Sequence, residues 1–221
     1  MAKKSLKKGL FVTFEGPEGC GKTTHANHIY KYLKKEGYPV IFTREPGGTF
    51  VGEEIREILL NPRHKSITSL TELLLFEANR TQIIKEVISP ALKKKKIVIC
   101  DRFNDSTIVY QGYAGTLPLK EVIAIDAVVI RSAKPNLTIM LDVNAKTGLK
   151  RATKFRRKDR MESKSLAFHK RVRNGFRDLA KKDKRRIRLI KVRKSVKETQ
   201  DIVRNEIVNL IRRYTKWHLP I

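Results

Sequence analysis

The chain has 221 residues, 40% of them apolar and 32% charged, proportions that fit a globular protein able to bury a sizeable core and exclude a disordered tail. Lys and Arg number 49 against 22 Asp and Glu, a formal net charge of +27. That surplus points to polyanionic partners, such as nucleic acid, nucleotides or an acidic membrane surface, without choosing among them.

Leu10 to Phe14 reads as a short buried strand, too brief for a signal-peptide core. A Gly-rich turn, Gly16 to Gly21, follows, then helical pattern from about Lys22 to Glu36 with Gly37 as its stop. Pro39 to Thr43 reads as a second strand, 45–49 as a turn, and Val51 to Leu60 as a short helix ended by Asn61-Pro62. Ser69 and Glu72 have the spacing of a capping box, which starts a long helix to about Ile88, with Pro90 just beyond. Ile97 to Cys100 is a strand delivered to Asp101. Residues 104–132 look mostly helical with a break around Gly112 to Pro118. Leu137 to Leu141 is a further strand, ending at Asp142. A helix over Lys164–Lys182, a strand over Arg186–Lys191 and a terminal helix behind the capping pair Ser195 and Glu198 complete the chain.

Strand and helix alternate about five times, which implies an α/β protein with a mainly parallel sheet. Length favours one domain over residues 1–221. Two cysteines, Cys20 and Cys100, make no disulfide framework, and no apolar run approaches the ~18 residues of a spanning helix. A cytoplasmic protein without a membrane partner is the expectation. The charge is uneven: residues 146–197 hold 23 Lys and Arg against 4 Asp and Glu.

Gly16-Pro17-Glu18-Gly19-Cys20-Gly21-Lys22-Thr23 matches G-x4-G-K-[ST], and it lies between a strand and a helix as that phosphate loop must. Glycines let backbone N–H groups converge on phosphate oxygens, and the helix start adds its positive dipole end. Lys22 would reach the β- and γ-phosphates, and the Thr23 hydroxyl would coordinate Mg²⁺. Asp101, at the end of a buried strand, stands where P-loop enzymes hold the metal directly or through water. No Asn-Lys-x-Asp signature is present and no Asp-x-x-Gly follows the Ile97–Cys100 strand, which argues against a GTPase switch protein.

Arg102 follows Asp101 at the carboxyl end of that strand, where ligands bind in a parallel sheet. It suits an anionic acceptor, or else a local surface ion pair. On the long helix, Leu73, Phe76, Arg80, Ile83 and Val87 share one stripe, and Arg80 interrupts its apolar run. Phe76 and Arg80 either stack on and hydrogen-bond a nucleobase, or Phe76 is core and Arg80 snorkels to solvent.

These segments, with Thr43-Arg-Glu-Pro-Gly-Gly-Thr49, Leu75-Phe-Glu-Ala-Asn-Arg80, Asp101-Arg-Phe-Asn-Asp-Ser-Thr107, Tyr110-Gln-Gly112 and Pro135-Asn-Leu-Thr-Ile-Met-Leu-Asp142, resemble the thymidylate kinases in order over roughly residues 9–212. The resemblance implies a P-loop kinase fold, a three-layer αβα sandwich with a five-stranded parallel sheet and a mobile lid. It implies transfer of the γ-phosphoryl of ATP to dTMP, giving dTDP and ADP, with Mg²⁺ held by Thr23 and Asp101. ATP would lie on Gly16 through Thr24. Phe76 would stack on thymine and Arg80 would hydrogen-bond its edge. Arg102 would hold the monophosphate with Arg44 nearby, and Glu18 would approach the sugar 3′-hydroxyl. Ser106, Thr107 and Gln111 would line the base pocket, and Tyr110 or Tyr113 would crowd the ribose 2′ position. Relatives are homodimers packed through helices; the 69–88 helix and residues 104–132 are the expected contact.

Some thymidylate kinases carry an arginine inside the P-loop, but here Gly19 and Cys20 occupy that region. The resemblance is therefore to the type that supplies the cation from a lid, here residues 151–163. Arg156 is the first candidate and Arg160 the second, with Arg151 and Arg157 also available; a helix through this stretch would place Arg156 and Arg160 one turn apart. Asp159-Arg160-Met161-Glu162 matches the family's Asp-Arg-x-Glu pattern, and Arg173 a later Val-Arg pair. Two rivals remain: the same fold acting on another monophosphate, and a nucleic-acid-binding P-loop protein, for which no reading motif or aromatic-interleaved basic patch is found.

Overall fold

The computed structural model describes residues 4–154 and 158–215. Leu10–Glu15 (β1) is buried at every position, as a strand covered on both faces must be. Ile97–Asp101 (β3) and Leu137–Asp142 (β4) flank it, and Val40–Arg44 (β2) and Ile187–Lys191 (β5) form the edges. All neighbours are parallel, in the order β2-β3-β1-β4-β5, which is the expected five-stranded sheet.

Side chains alternate along β1 and so feed two layers. Leu10, Val12 and Phe14 pack with Ile29 and Leu33 of Lys22–Lys35 (α1) and with Val203 and Ile207 of Val196–Arg212 (α9). Phe11 faces the opposite layer, against Ile83, Val98 and Phe103. A third cluster joins Met140 and Tyr110 to Phe168, Val172 and Phe176 of Leu166–Lys182 (α8). Each fully buried Leu, Ile or Phe stabilises by about 2 kcal/mol relative to exposure, so the three clusters together drive folding.

Phe50–Leu60 (α2) starts at Thr49, whose hydroxyl accepts from Gly52 N at 2.9 Å. The next helix, Ser69–Ile83 (α3), corrects the expected capping box by one residue. Thr68 is the cap, accepting from Thr71 N at 3.2 Å. Glu72 is freed from the cap and buried, where its carboxylate accepts from Gln111 and pairs with Arg160. A charge-assisted partner outweighs one terminal N–H. The helix also does not stop before Pro90. It passes through a π turn, Ile84–Ile88, into Ser89–Lys93 (α4), and Ser89 N reaches back to Ile84 O. The wider turn makes room for the proline ring and removes the need for its missing N–H.

Asn104–Thr107 (α5) runs into a second π turn, Ile108–Tyr113, and Leu119–Val129 (α6) follows the expected break. Ala145–Ala152 (α7) reaches the start of the stretch 151–163 expected to form the lid. Residues 160–163 form turns. Asp159 and Glu162 cap each other's backbone there, at 3.2 and 2.8 Å, which closes the segment on itself. Arg156 lies outside the described residues. The carboxyl ends of β1, β2 and β3 open on one side of the sheet, where the cleft forms.

Candidate active site

β1 delivers the chain into the phosphate loop. Gly19 has φ 62°, and a Cβ there would lie 2.0 Å from Gly148 O of α7. Both its conformation and its neighbour therefore require glycine. Lys22, the first residue of α1, turns its Nζ back onto Gly16 O at 3.1 Å and Pro17 O at 2.9 Å. Thr23 Oγ1 donates to Asp101 Oδ2 at 2.5 Å, so the hydroxyl and carboxylate expected at a metal are already together. Glu18, Gly19, Gly21, Lys22, Thr23 and Thr24 line a cleft of ≈ 610 Å³; Gly16, Pro17 and Cys20 lie behind it. Burial pushes the Cys20 thiol up, so it stays protonated.

Arg102 stands across the loop at φ 69°, an uncommon backbone for a side chain of its size. Its guanidinium donates to Glu18 Oε2 at 2.7 Å, Ser106 Oγ at 3.0 Å and Gly16 O at 3.3 Å, and lies 5.3 Å from the Tyr110 ring centre. Tyr110 donates its hydroxyl to Glu18 Oε1 at 2.8 Å. Burial alone would raise the Glu18 carboxyl. Arg102 first, then Lys22 and Tyr110, outweigh it and hold Glu18 at about 2, ionised throughout the working range. The surface-ion-pair reading of Arg102 fails, because its side chain is 19% and that of Glu18 13% exposed. Arg44 sits at the rim, forked on Glu53 at 2.8 and 3.0 Å.

At the other end Arg80 is 1% exposed and does not snorkel. Its Nε and one NH2 proton go to Glu45 at 3.0 and 2.9 Å, and NH2 also donates to Thr107 at 2.9 Å. NH1 donates to Glu77 at 2.6 Å and to Asp126 at 3.4 Å. Burial outweighs the pull of Arg80 and lifts Glu45 to about 8; burial likewise lifts Asp126 to about 6. Phe76 lines the cleft half-buried, one turn from Arg80. Ser106, Thr107, Tyr110 and Gln111 line it too, with Gln111 tied to Glu72 at 2.7 Å. Tyr113 does not; its hydroxyl accepts from Lys182 at 2.9 Å, so Tyr110 is the tyrosine at the cleft.

The stretch 151–163 contributes Ala152, Asp159, Met161 and Glu162 to the cleft wall. Arg160 is not part of that wall. Its Nε donates to Leu59 O at 2.7 Å, its backbone N to Leu60 O at 3.0 Å, and its NH1 pairs with Glu72. It ties the 160–163 turn to α2 and α3. Arg173 grips Asp142 at 2.6 and 2.9 Å, away from the cleft.

Several residues escape the sequence reading. Arg56 lines the cleft and donates to Pro46 O at 2.7 Å; nothing in its helical context marks it. Glu77 and Asp126 are visible only once α3 and α6 pack. Glu15 carried a signal, a carboxylate ending an apolar strand. No three or more His, Cys, Asp or Glu among the described residues group to hold a metal ion, so a metal here would rest on the mixed pair Thr23 and Asp101. No helix among the described residues is long and apolar enough to cross a membrane.

The family model for thymidylate kinase matches residues 14–203. A thymidylate kinase of Symbiobacterium thermophilum is 40% identical over 204 residues, covering 92% of this chain and 95% of that protein. One from a Geobacillus species is 44% identical over 193 residues, covering 86% and 92%. The crystal structure of the thymidylate kinase from Ehrlichia chaffeensis superposes with a TM-score of 0.72 at 34% identity, over 93% of this chain and 99% of that one. Agreement in sequence and in fold, running from the strand before the phosphate loop into the terminal helix, makes this chain a member of the thymidylate kinase family.

Proposed function

We propose that the cleft transfers the γ-phosphoryl of ATP to dTMP through the residues described above, the whole chain acting as one kinase domain with its lid at 151–163. The observation that carries this reading is the continuity of the cleft. One cavity joins Lys22 and Thr23 to Arg102 and, beyond it, to Phe76 and Arg80. Phosphoryl transfer needs little covalent chemistry from the protein; it needs both phosphates aligned and their charge neutralised.

In this reading Lys22 exchanges its carbonyl partners for β- and γ-phosphate oxygens. Arg102 holds the acceptor phosphate, backed by ionised Glu18, with Arg44 and Arg56 at the rim. Phe76 offers a ring face to thymine. The 3.4 Å contact to Asp126 is the weakest that Arg80 makes, and NH1 has most to gain from a base carbonyl. Tyr110, fixed by Glu18, stands against a 2′-hydroxyl. Thr23 and Asp101 supply hard oxygen donors that suit Mg²⁺. When bound, the ion neutralises phosphate charge as the γ-group leaves. Arg156 remains the first lid cation proposed, since Arg160 is engaged at the lid base.

A panel of dTMP, dUMP, dGMP and dAMP with ATP tests the substrate, with dTMP expected to show the highest kcat/KM. Comparable turnover of a purine monophosphate would sink the reading. We also propose a homodimer through α3 and α6, which expose Leu70, Leu74, Ile123 and Val128. A monomeric mass by light scattering at micromolar concentration would remove it. With two buried, unpaired cysteines the protein suits the reducing cytoplasm.

A further inference from the structure

Glu15 takes no part in the reaction as described so far and does not line the cleft, yet it is fully buried directly behind it. Its Oε1 accepts from Phe103 N at 2.7 Å and from Ser106 N at 3.3 Å. Its Oε2 accepts from the Ser106 hydroxyl at 2.6 Å. The cap at the start of α5 therefore comes from a strand 91 residues earlier in the chain, because Phe103 itself offers no capping side chain.

Two consequences fall on Arg102. Phe103 N belongs to the peptide that follows Arg102, and Arg102 N donates to Phe14 O at 2.9 Å on the side before it, so Glu15 holds one of the two peptides that together set the φ 69° backbone of Arg102. Ser106 has one hydroxyl proton. An ionised Glu15 can only accept, so it draws that proton and leaves the oxygen's lone pairs toward Arg102 NH1 at 3.0 Å. Charged groups around Glu15 are few: Asp105 and Arg102 act on it, and Glu45 lies near enough to feel it.

We propose that Glu15 is a positioning residue for the acceptor phosphate, aiming the Arg102 guanidinium through the Phe103 peptide and the Ser106 hydroxyl. The proposal rests on Arg102 being the monophosphate clamp, and it names a second, buried carboxylate on which that clamp depends.

The amide of Glu15→Gln cannot reproduce the arrangement. If its oxygen faces Phe103 N–H, its NH2 donates to Ser106 and turns the hydroxyl proton elsewhere. If it is flipped, two donors face each other at Phe103. The change is isosteric and leaves the P-loop and the base end untouched.

The test compares dTMP with thymidine, which carries the same base and sugar without the phosphate. Titration calorimetry of each into the full chain is run at about pH 8, above the Glu15 value of about 7. Glu15→Gln should weaken dTMP about tenfold, the order expected for a misaligned charged hydrogen bond, and leave thymidine within about twofold. Ser106→Ala, a milder cut in the same relay, should give a smaller loss of the same phosphate-selective kind. The double variant should be no worse than Glu15→Gln alone, since both break one path. Loss of dTMP and thymidine affinity in parallel would mean a general structural role and overturn the proposal, as would unchanged dTMP binding. Arg102→Ala separates the two levels. If it loses phosphate selectivity while Glu15→Gln keeps it, only the Glu15 assignment falls; if Arg102→Ala keeps it, the clamp and the proposal fall together. Should Glu15→Gln not fold, Glu15→Asp, which keeps the carboxylate but shortens its reach to Phe103 N and the Ser106 hydroxyl, decides by the same selectivity.

Discussion

The phosphate-loop end of the cleft is written in eight consecutive residues, Gly16 to Thr23, whereas the base end is assembled from four separated segments. Lys22 closes on carbonyls five and six positions away. Arg80 is held by Thr107, Glu45 and Asp126, at separations of 27, 35 and 46 residues. The energetics differ with the wiring. Lys22 leans on neutral carbonyls that phosphate oxygens can replace. Arg80 pairs with three buried carboxyl groups at once. One end is built to let go of its partners and the other to keep them, so substitutions should register in different observables.

The largest expected effect is on the donor side. The P-loop holds no arginine, so Arg156→Ala, which removes the proposed lid cation, should lower kcat by on the order of 10³-fold at saturating ATP and dTMP. Arg160→Ala should cost far less, because Arg160 is tied to Leu59 and Glu72 instead of lining the cleft. Equal losses in the two variants would erase that distinction.

Next comes the base end. Arg80→Ala leaves Glu45, Glu77 and Asp126 without their cation and should destabilise the fold by about 3–5 kcal/mol in urea unfolding. Lys22→Ala, although it abolishes most activity, should unfold near the wild-type midpoint. If the two variants unfold together, the contrast between replaceable and irreplaceable partners is wrong.

The smallest effect is on pH dependence. Glu45 at about 8, Glu15 at about 7 and Asp126 at about 6 all lie above their ordinary values, so the folded chain keeps protons that the unfolded chain has released. Their stabilising contribution is complete below about pH 4 and is lost as pH rises through 6, 7 and 8. Glu18, at about 2, runs the other way and matters only in acid. The calorimetric melting temperature should therefore decline from pH 5 to pH 8.5, and Glu45→Gln should flatten the slope. A melting temperature that climbs over this range would show that these carboxyls ionise freely in the folded state.

The same contrast explains what could be read from the chain. The five strands and the order of helices were legible because buried parallel strands are short apolar runs and helices announce their caps. The phosphate loop was legible because its chemistry is local. Phe76 and Arg80 were visible as a break in a stripe, but whether that break meant solvent, base or buried ion pairs depended on Glu45, Glu77 and Asp126, which no spacing brings together. The misplaced cap of α3 has the same origin. Glu72 satisfies a local pattern, yet Gln111 and Arg160, far away in sequence, claim its carboxylate.

The four residues of α5 carry a further consequence for redesign. Asn104 is bound to Asp126, Asp105 to Arg186, Ser106 to Glu15 and Thr107 to Arg80, each to a different part of the molecule. No position on this turn can be varied alone without stranding a partner elsewhere in the molecule. Retargeting the enzyme toward a larger base should leave this turn intact and begin at Phe76. Its side chain has no polar atom to satisfy, and its ring already stands half in the open.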